Sequence, residues 1–125
     1  MEKQTIAIVG LGRIGSVFLE KLLGQSNQGI EIVAVSEKDA TAGRSFAEAR
    51  GIKNFSIDGL IAKGNDIDII FDLTGSSAVR QQLREKLSAS ANRHTTIATE
   101  SIAHVIWALI SDGEKLPNVH AKTGY

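Results

Sequence analysis

Hydrophobic positions along this chain switch back and forth between unbroken apolar runs and a three-and-four spacing. "TIAIVG", Thr5 to Gly10, is apolar on both alternating faces, the pattern of a strand covered on both sides in a parallel sheet. From Arg13 to Leu23 the residues Ile14, Val17, Phe18 and Leu22 make a helical stripe, and Gly24 stands where that helix would stop. "IEIVAVSE" (Ile30 to Glu37) reads as a second strand, and Thr41 to Arg50 as a second helix ending at Gly51. "IKNFS" gives a weak third strand and "SIDGLIAKG" a short helix or turn. "DIDIIFDLTG" (Asp66 to Gly75) is a fourth strand, and Ser76 to Ser88 a helix with Ser76 or Ser77 as its N-cap. "HTTIATE" is a fifth strand, followed by a last helix from Ile102 to Ile110.

Strands and helices that alternate with linkers of only a few residues require parallel pairing and right-handed crossovers. The expected fold class is therefore α/β, a doubly wound parallel sheet in spatial order 3-2-1-4-5, forming a single domain over residues 1–110. Residues 111–125, "SDGEKLPNVHAKTGY", hold the only proline and little periodicity, and read as a tail or linker. In the last helix, Ile102, Val105, Ile106, Leu109 and Ile110 share one arc, expected to cover the sheet. Ala103, Trp107 and Ala108 fill a remaining surface with almost no charge. Trp107 is thus expected to meet a second copy, a missing domain or the folded-back tail, with burial over the sheet's edge as the alternative.

Between the first strand and first helix stands Gly10-Leu11-Gly12-Arg13-Ile14-Gly15, a G-x-G-x-x-G hexapeptide. In that context it places a diphosphate on the free amides of a helix N-terminus. Gly10 allows the sharp turn, Gly12 keeps no side chain in the phosphate's way, and Gly15 lets helix and sheet approach. Arg13 faces either the phosphates or solvent. Glu37, 22 residues beyond Gly15, ends the second strand where an acid would bind adenosine ribose hydroxyls. A carboxylate there favours NAD over NADP, although Lys38 and Arg44 nearby offer partners for a 2′-phosphate. Ligands in such sheets lie beyond the carboxyl ends of the strands, which brings Thr74, Gly75 and Ser76 of "DLTGSS" beside the glycine loop. Ser76 is equally suited to capping a helix. Glu100, ending the fifth strand, projects at the same edge and is equally suited to a helix's first turn.

Composition narrows the function classes. The 14 basic and 14 acidic residues cancel, so no global field draws nucleic acid or anionic membrane. There is no cysteine, which removes disulfides, thiolate metal sites and thiol chemistry together. His94, His104 and His120 lack metal-ligand spacing, and no metal site is expected. Neither a G-x-S-x-G elbow nor a P-loop is present. The polar start after Met1 and the absence of a membrane-length apolar stretch make the cytoplasm the expected location.

"IAIVGLGRIG", "IVAVSEKDATAGRSFAEARGI", "DIDIIFDLTG" and "TTIATE" together resemble the N-terminal, Rossmann-like domain of the glucose–fructose oxidoreductase and inositol dehydrogenase family. They are also similar to the cofactor domains of homoserine dehydrogenase, aspartate dehydrogenase and dihydrodipicolinate reductase. The resemblance covers residues 5 to about 110. It implies a diphosphate on Gly10 to Gly15, the adenosine ribose on Glu37, and the cofactor's inner half near Thr74, Gly75 and Glu100. The chain departs from the oxidoreductase family where that family's fifth strand ends Glu-Lys-Pro, its lysine assisting catalysis. Here Glu100 is followed by Ser101 and Ile102. The family's α+β substrate half is also absent from these residues. Three readings follow: an NAD-binding module with a sensing or regulatory role, the cofactor half of an active NAD-dependent dehydrogenase, or a module on the same fold for coenzyme A or protein.

Overall fold

In the computed structural model, which describes residues 3–25 and 28–110, strand and helix alternate as the hydrophobic pattern requires. The strands are β1 (Gln4–Val9), β2 (Ile30–Ser36), β3 (Ile69–Asp72) and β4 (Thr96–Ala98), all parallel, in the order β2-β1-β3-β4. The helices are α1 (Arg13–Leu23), α2 (Ala42–Ala49), α3 (Ile57–Ala62), α4 (Ser77–Ala89) and α5 (Glu100–Ile110). The expected tail or linker, residues 111–125, lies outside the described residues. Among those residues, no helix is long and apolar enough to cross a membrane.

The central strand explains why "TIAIV" is apolar throughout. Ile6 and Ile8 point to one core with Phe18, Leu22, Phe71 and Trp107. Ala7 and Val9 point to a second core with Ala34, Leu60, Ile70 and Leu83. Helices α1, α2 and α5 cover the first face, and α3 and α4 the second, so the sheet is doubly wound. Phe18 of α1 meets Phe71 of β3 edge-on at 5.0 Å between ring centres, an arrangement that aromatic quadrupoles favour.

Two expectations need correction. The third strand is reduced to a single parallel bridge between Val35 and Asn54. Val35 N–H donates to Lys53 O and Phe55 N–H to Val35 O, one rung of a ladder. The next rung would engage the backbone of Glu37, but the Asn54 side chain takes both groups. Glu37 N–H donates to Asn54 Oδ1 at 2.8 Å, and Asn54 Nδ2 donates to Glu37 O at 3.0 Å. The Ser56 hydroxyl then accepts from Gly59 N–H, capping α3 and turning the chain away from the sheet.

The second correction concerns α5. Ala103 and Trp107 face the core, Trp107 only 4% exposed, while Ile102, Val105 and Leu109 stand 49%, 59% and 80% exposed. The expected arc is therefore split: Ile106 and Ile110 pack against the core, and Ile102, Val105 and Leu109 do not. Ala103 and Trp107 join the first core where α5 packs against β3 and β4. Lys21 Nζ lies 5.6 Å from the centre of the Trp107 ring and roofs it from α1. No second copy is needed to bury Trp107.

The amino-terminal edge of the sheet is fastened by side chains. Thr5 N–H donates to Asp68 Oδ2 at 2.8 Å, and the His94 ring bonds the other carboxylate oxygen. The Thr95 hydroxyl donates to Ile67 O at 2.6 Å, tying the start of β4 to that of β3. The backbone bond from Thr5 and then the His94 contact hold the Asp68 carboxyl below its ordinary 3.8. A depressed folded value means that this stabilisation is present above pH 3.8 and is lost as pH falls through the lower, folded value. Thermal melts followed across this acid range should show Asp68→Asn less stable than wild type near neutrality. The difference should shrink as the wild-type carboxylate protonates.

Candidate functional site

The carboxyl ends of β1, β2 and β3 open into a cleft of about 800 Å³, within the range that small-molecule and cofactor pockets occupy. Its floor is the turn from β1 into α1. Gly10 sits at φ +94°, and its N–H donates to Ser36 O at the end of β2. A Cβ on Gly10 would stand 2.9 Å from Thr74 N and Cγ2, so the loops after β1 and β3 meet here. Gly15 has a different constraint. A Cβ there would lie 1.8 Å from Gly10 O, so the helix is pressed onto the loop that precedes it. At Gly12 a Cβ would meet nothing within 4 Å, because that position faces the open cleft.

Helix starts around the cleft differ in one respect. Thr41, Ser56 and Ser76 each cap their helices, the side-chain oxygen accepting from a backbone N–H in the first turn. Helix α1 has Gly12 as its N-cap, with no side-chain cap bond and no acid in its first turn. Its first amides therefore point at the cleft without a protein side chain to accept from them, beside the exposed Arg13. Partial positive charge at a helix start and unbonded N–H groups suit an anion.

Glu37 forms the wall beyond β2. Its Oε1 accepts from Leu11 N–H at 2.7 Å and its Oε2 from Asp39 N–H at 3.0 Å. The carboxylate thus joins the second strand's end to the glycine loop and remains at the cleft surface. Lys38 lies beside it, and Arg44 of α2 reaches the Glu37 carbonyl at 3.5 Å while facing Glu48 at 3.9 Å. Helix α2 comes this close because Gly43 faces α1: a Cβ on it would lie 1.9 Å from Ser16 Oγ and 2.7 Å from Leu11 O.

On the opposite wall, the Thr74 hydroxyl donates to buried Asp72 Oδ1 at 2.7 Å and accepts from Ser76 N–H at 3.1 Å. It shapes the loop together with the Thr74 N–H, which donates to the same Asp72 oxygen at 3.2 Å. Ser76 Oγ accepts from Val79 N–H and still carries a proton to donate. The cleft therefore brings together Gly10, Gly12, Arg13, Glu37, Lys38, Thr74 and Ser76. Ile14 and Gly15 lie buried beneath it, Gly75 sits in the adjoining turn at φ +70°, and Glu100 is buried in the first turn of α5, away from the lining. Asn54, Phe55 and Gln82 line the cleft without any local motif to flag them. Among the described residues, no group of three or more His, Cys, Asp or Glu is placed to hold a metal ion.

Residues 10–96 match the family of homoserine dehydrogenase NAD-binding domains, the segment from the glycine loop through the start of β4. The chain belongs to that family. Three solved structures share the NAD-binding domain's fold. Homoserine dehydrogenase from S. aureus superposes with a TM-score of 0.64 at 15% identity, covering 90% of this chain and 30% of that one. The Thiobacillus denitrificans homoserine dehydrogenase gives 0.58 at 19% identity, covering 86% and 27%. Apo scyllo-inositol dehydrogenase from Lactobacillus casei gives 0.58 at 17%, covering 89% and 35%. The chain thus spans about a third or less of each. No curated protein sequence matches it. The cofactor of such a domain is a nicotinamide dinucleotide, and the residues present fit one: an uncapped helix start, the empty Cβ position of Gly12, and a carboxylate at the second strand's end.

Gly15 and Gly12 should respond unequally to one added methyl. Gly15→Ala forces the helix off Gly10 O and should cost at least about 2 kcal/mol, as overpacking does. Gly12→Ala meets no neighbouring atom and loses only the N-cap preference for glycine, so it should cost about 1 kcal/mol or less. Urea titration of both variants measures the difference.

Proposed function

We propose that this NAD-binding domain holds NAD in preference to NADP, as a binding module whose own residues supply no catalytic group. The observation that carries the reading is the bare start of α1, where three neighbouring helices have side-chain caps. The diphosphate is assigned to Gly10, Gly12, Arg13, Ile14 and Gly15, through backbone amides and the Arg13 charge. Glu37 is assigned the adenosine ribose. Each of its oxygens spends one acceptor site on a backbone amide and keeps another for a hydroxyl. A 2′-phosphate would meet the same oxygens with like charge, which supports NAD over NADP. Lys38 and Arg44 act against that preference, Arg44 less so because Glu48 shares its charge. Thr74, Gly75 and Ser76 are assigned the cofactor's inner half, Ser76 through its free proton. The burial of Glu100 favours a structural part for it at the start of α5.

Hydride chemistry belongs to the dinucleotide when bound; the chain binds and orients it. The matched dehydrogenases are about three times as long as this chain, which supports a second reading in which this domain serves an active enzyme together with a substrate domain.

Calorimetric titration with NAD, NADH, NADP and coenzyme A tests the assignment. NAD should bind more tightly than NADP or coenzyme A. Gly12→Val should fold normally and lose NAD binding by about a hundredfold or more, because its side chain enters the diphosphate's place. Glu37→Ala should weaken NAD by about tenfold, the worth of one bond to a charged acceptor, and NADP by less. Equal losses would remove the ribose role of Glu37. Coenzyme A binding more tightly than NAD would assign the cleft to a different nucleotide.

A further inference from the structure

We infer that Asn54 is a positioning residue for ribose recognition, acting through Glu37; the inference rests on the nucleotide reading above. Glu37 is the first residue past the paired part of β2, which ends with Ser36 opposite Val9. Its backbone N–H and C=O therefore leave the ladder at the cleft mouth. The Asn54 carboxamide occupies both at once, accepting at 2.8 Å and donating at 3.0 Å. A carboxamide presents acceptor and donor side by side, as a peptide group does, so it fixes both the place and the direction of this backbone. With the carboxylate then held by Leu11 and Asp39 amides, Glu37 is set before any ligand arrives. Binding need not immobilise a loose side chain, a saving that is otherwise lost from affinity.

The side chain of Asn54 is separable from the local fold. The bridge at this position is made by the backbone of Val35, Lys53 and Phe55, and α3 is capped by Ser56. Removing the carboxamide leaves these bonds in place, unpairs the Glu37 N–H and leaves the Glu37 carbonyl only the 3.5 Å contact from Arg44. Ala at 54 offers neither group, and Thr offers a single hydroxyl that cannot reach N–H and C=O together, while its branched shape suits the extended bridge.

The 125-residue chain titrated with ADP and with 2′-deoxy-ADP isolates the effect, since the two differ only in a hydroxyl assigned to Glu37. Wild type should prefer ADP by about tenfold. In Asn54→Ala and Asn54→Thr the preference should fall to about twofold, with 2′-deoxy-ADP binding within about twofold of wild type and the melting transition retained. Affinities that are unchanged, or that fall together with the ratio intact, overturn the inference, because a merely structural Asn54 would act on both ligands alike. Failure of both variants to fold overturns it too. Absence of binding or of preference in the wild-type chain is a separate result: it removes the reading of Glu37 itself, and the part of Asn54 with it.

Discussion

Nothing stands between the third residue of α1 and the carbonyl oxygen of Gly10, and the rest of the structure depends on that contact. With no Cβ at Gly15, the helix begins almost on top of the strand's last turn. That closeness aims Ile14, Phe18 and Leu22 into the larger core, where Phe18 reaches Phe71 on the next strand but one in sequence. It also turns the first amides of α1 toward the space above the sheet. Gly10 in turn backs onto Leu73 and Thr74, so the loops after β1 and β3 share one floor. Packing and cleft are thus two results of one steric allowance.

Much of this architecture was legible in the residues. Unbroken apolar runs and a three-and-four spacing placed the paired strands and the helices, and the burial of β1 on both faces followed from "TIAIV". The glycine loop and Glu37 were legible because local spacing encodes them. What escaped depended on contacts distant in sequence. The weak third strand ends after one rung because a single side-chain amide substitutes for the backbone of the next, which no hydrophobic period records. In α5 the aliphatic arc was right only in part: Ile106 and Ile110 pack on the core with Ala103 and Trp107, while Ile102, Val105 and Leu109 stand outward. Asn54, Gly43 and Gln82 sit on separate elements and converge only when the crossovers are folded. Thr74 was legible as a cleft residue, but its hydroxyl is committed to Asp72.

Hydrogen bonding around the cleft separates groups that are spent from groups that are not. Leu11 N–H is satisfied by Glu37, Glu37 N–H by Asn54, and the starts of α2, α3 and α4 by their own caps. Against this background the start of α1 is the place where backbone donors face the cleft with no side-chain acceptor supplied. A folded chain that satisfies its neighbours' polar groups and leaves these open presents a binding surface already shaped, so little reorganisation is required of it.

The side-chain fastening of Thr5, Asp68 and His94 lies at the edge of the sheet opposite the cleft. A further anchor of the strands therefore sits at the end away from the cleft, separate from the contact between Gly15 and Gly10. Exchanging cleft-lining residues that take no part in that contact, such as Lys38, leaves untouched the knot that keeps the strands in register below.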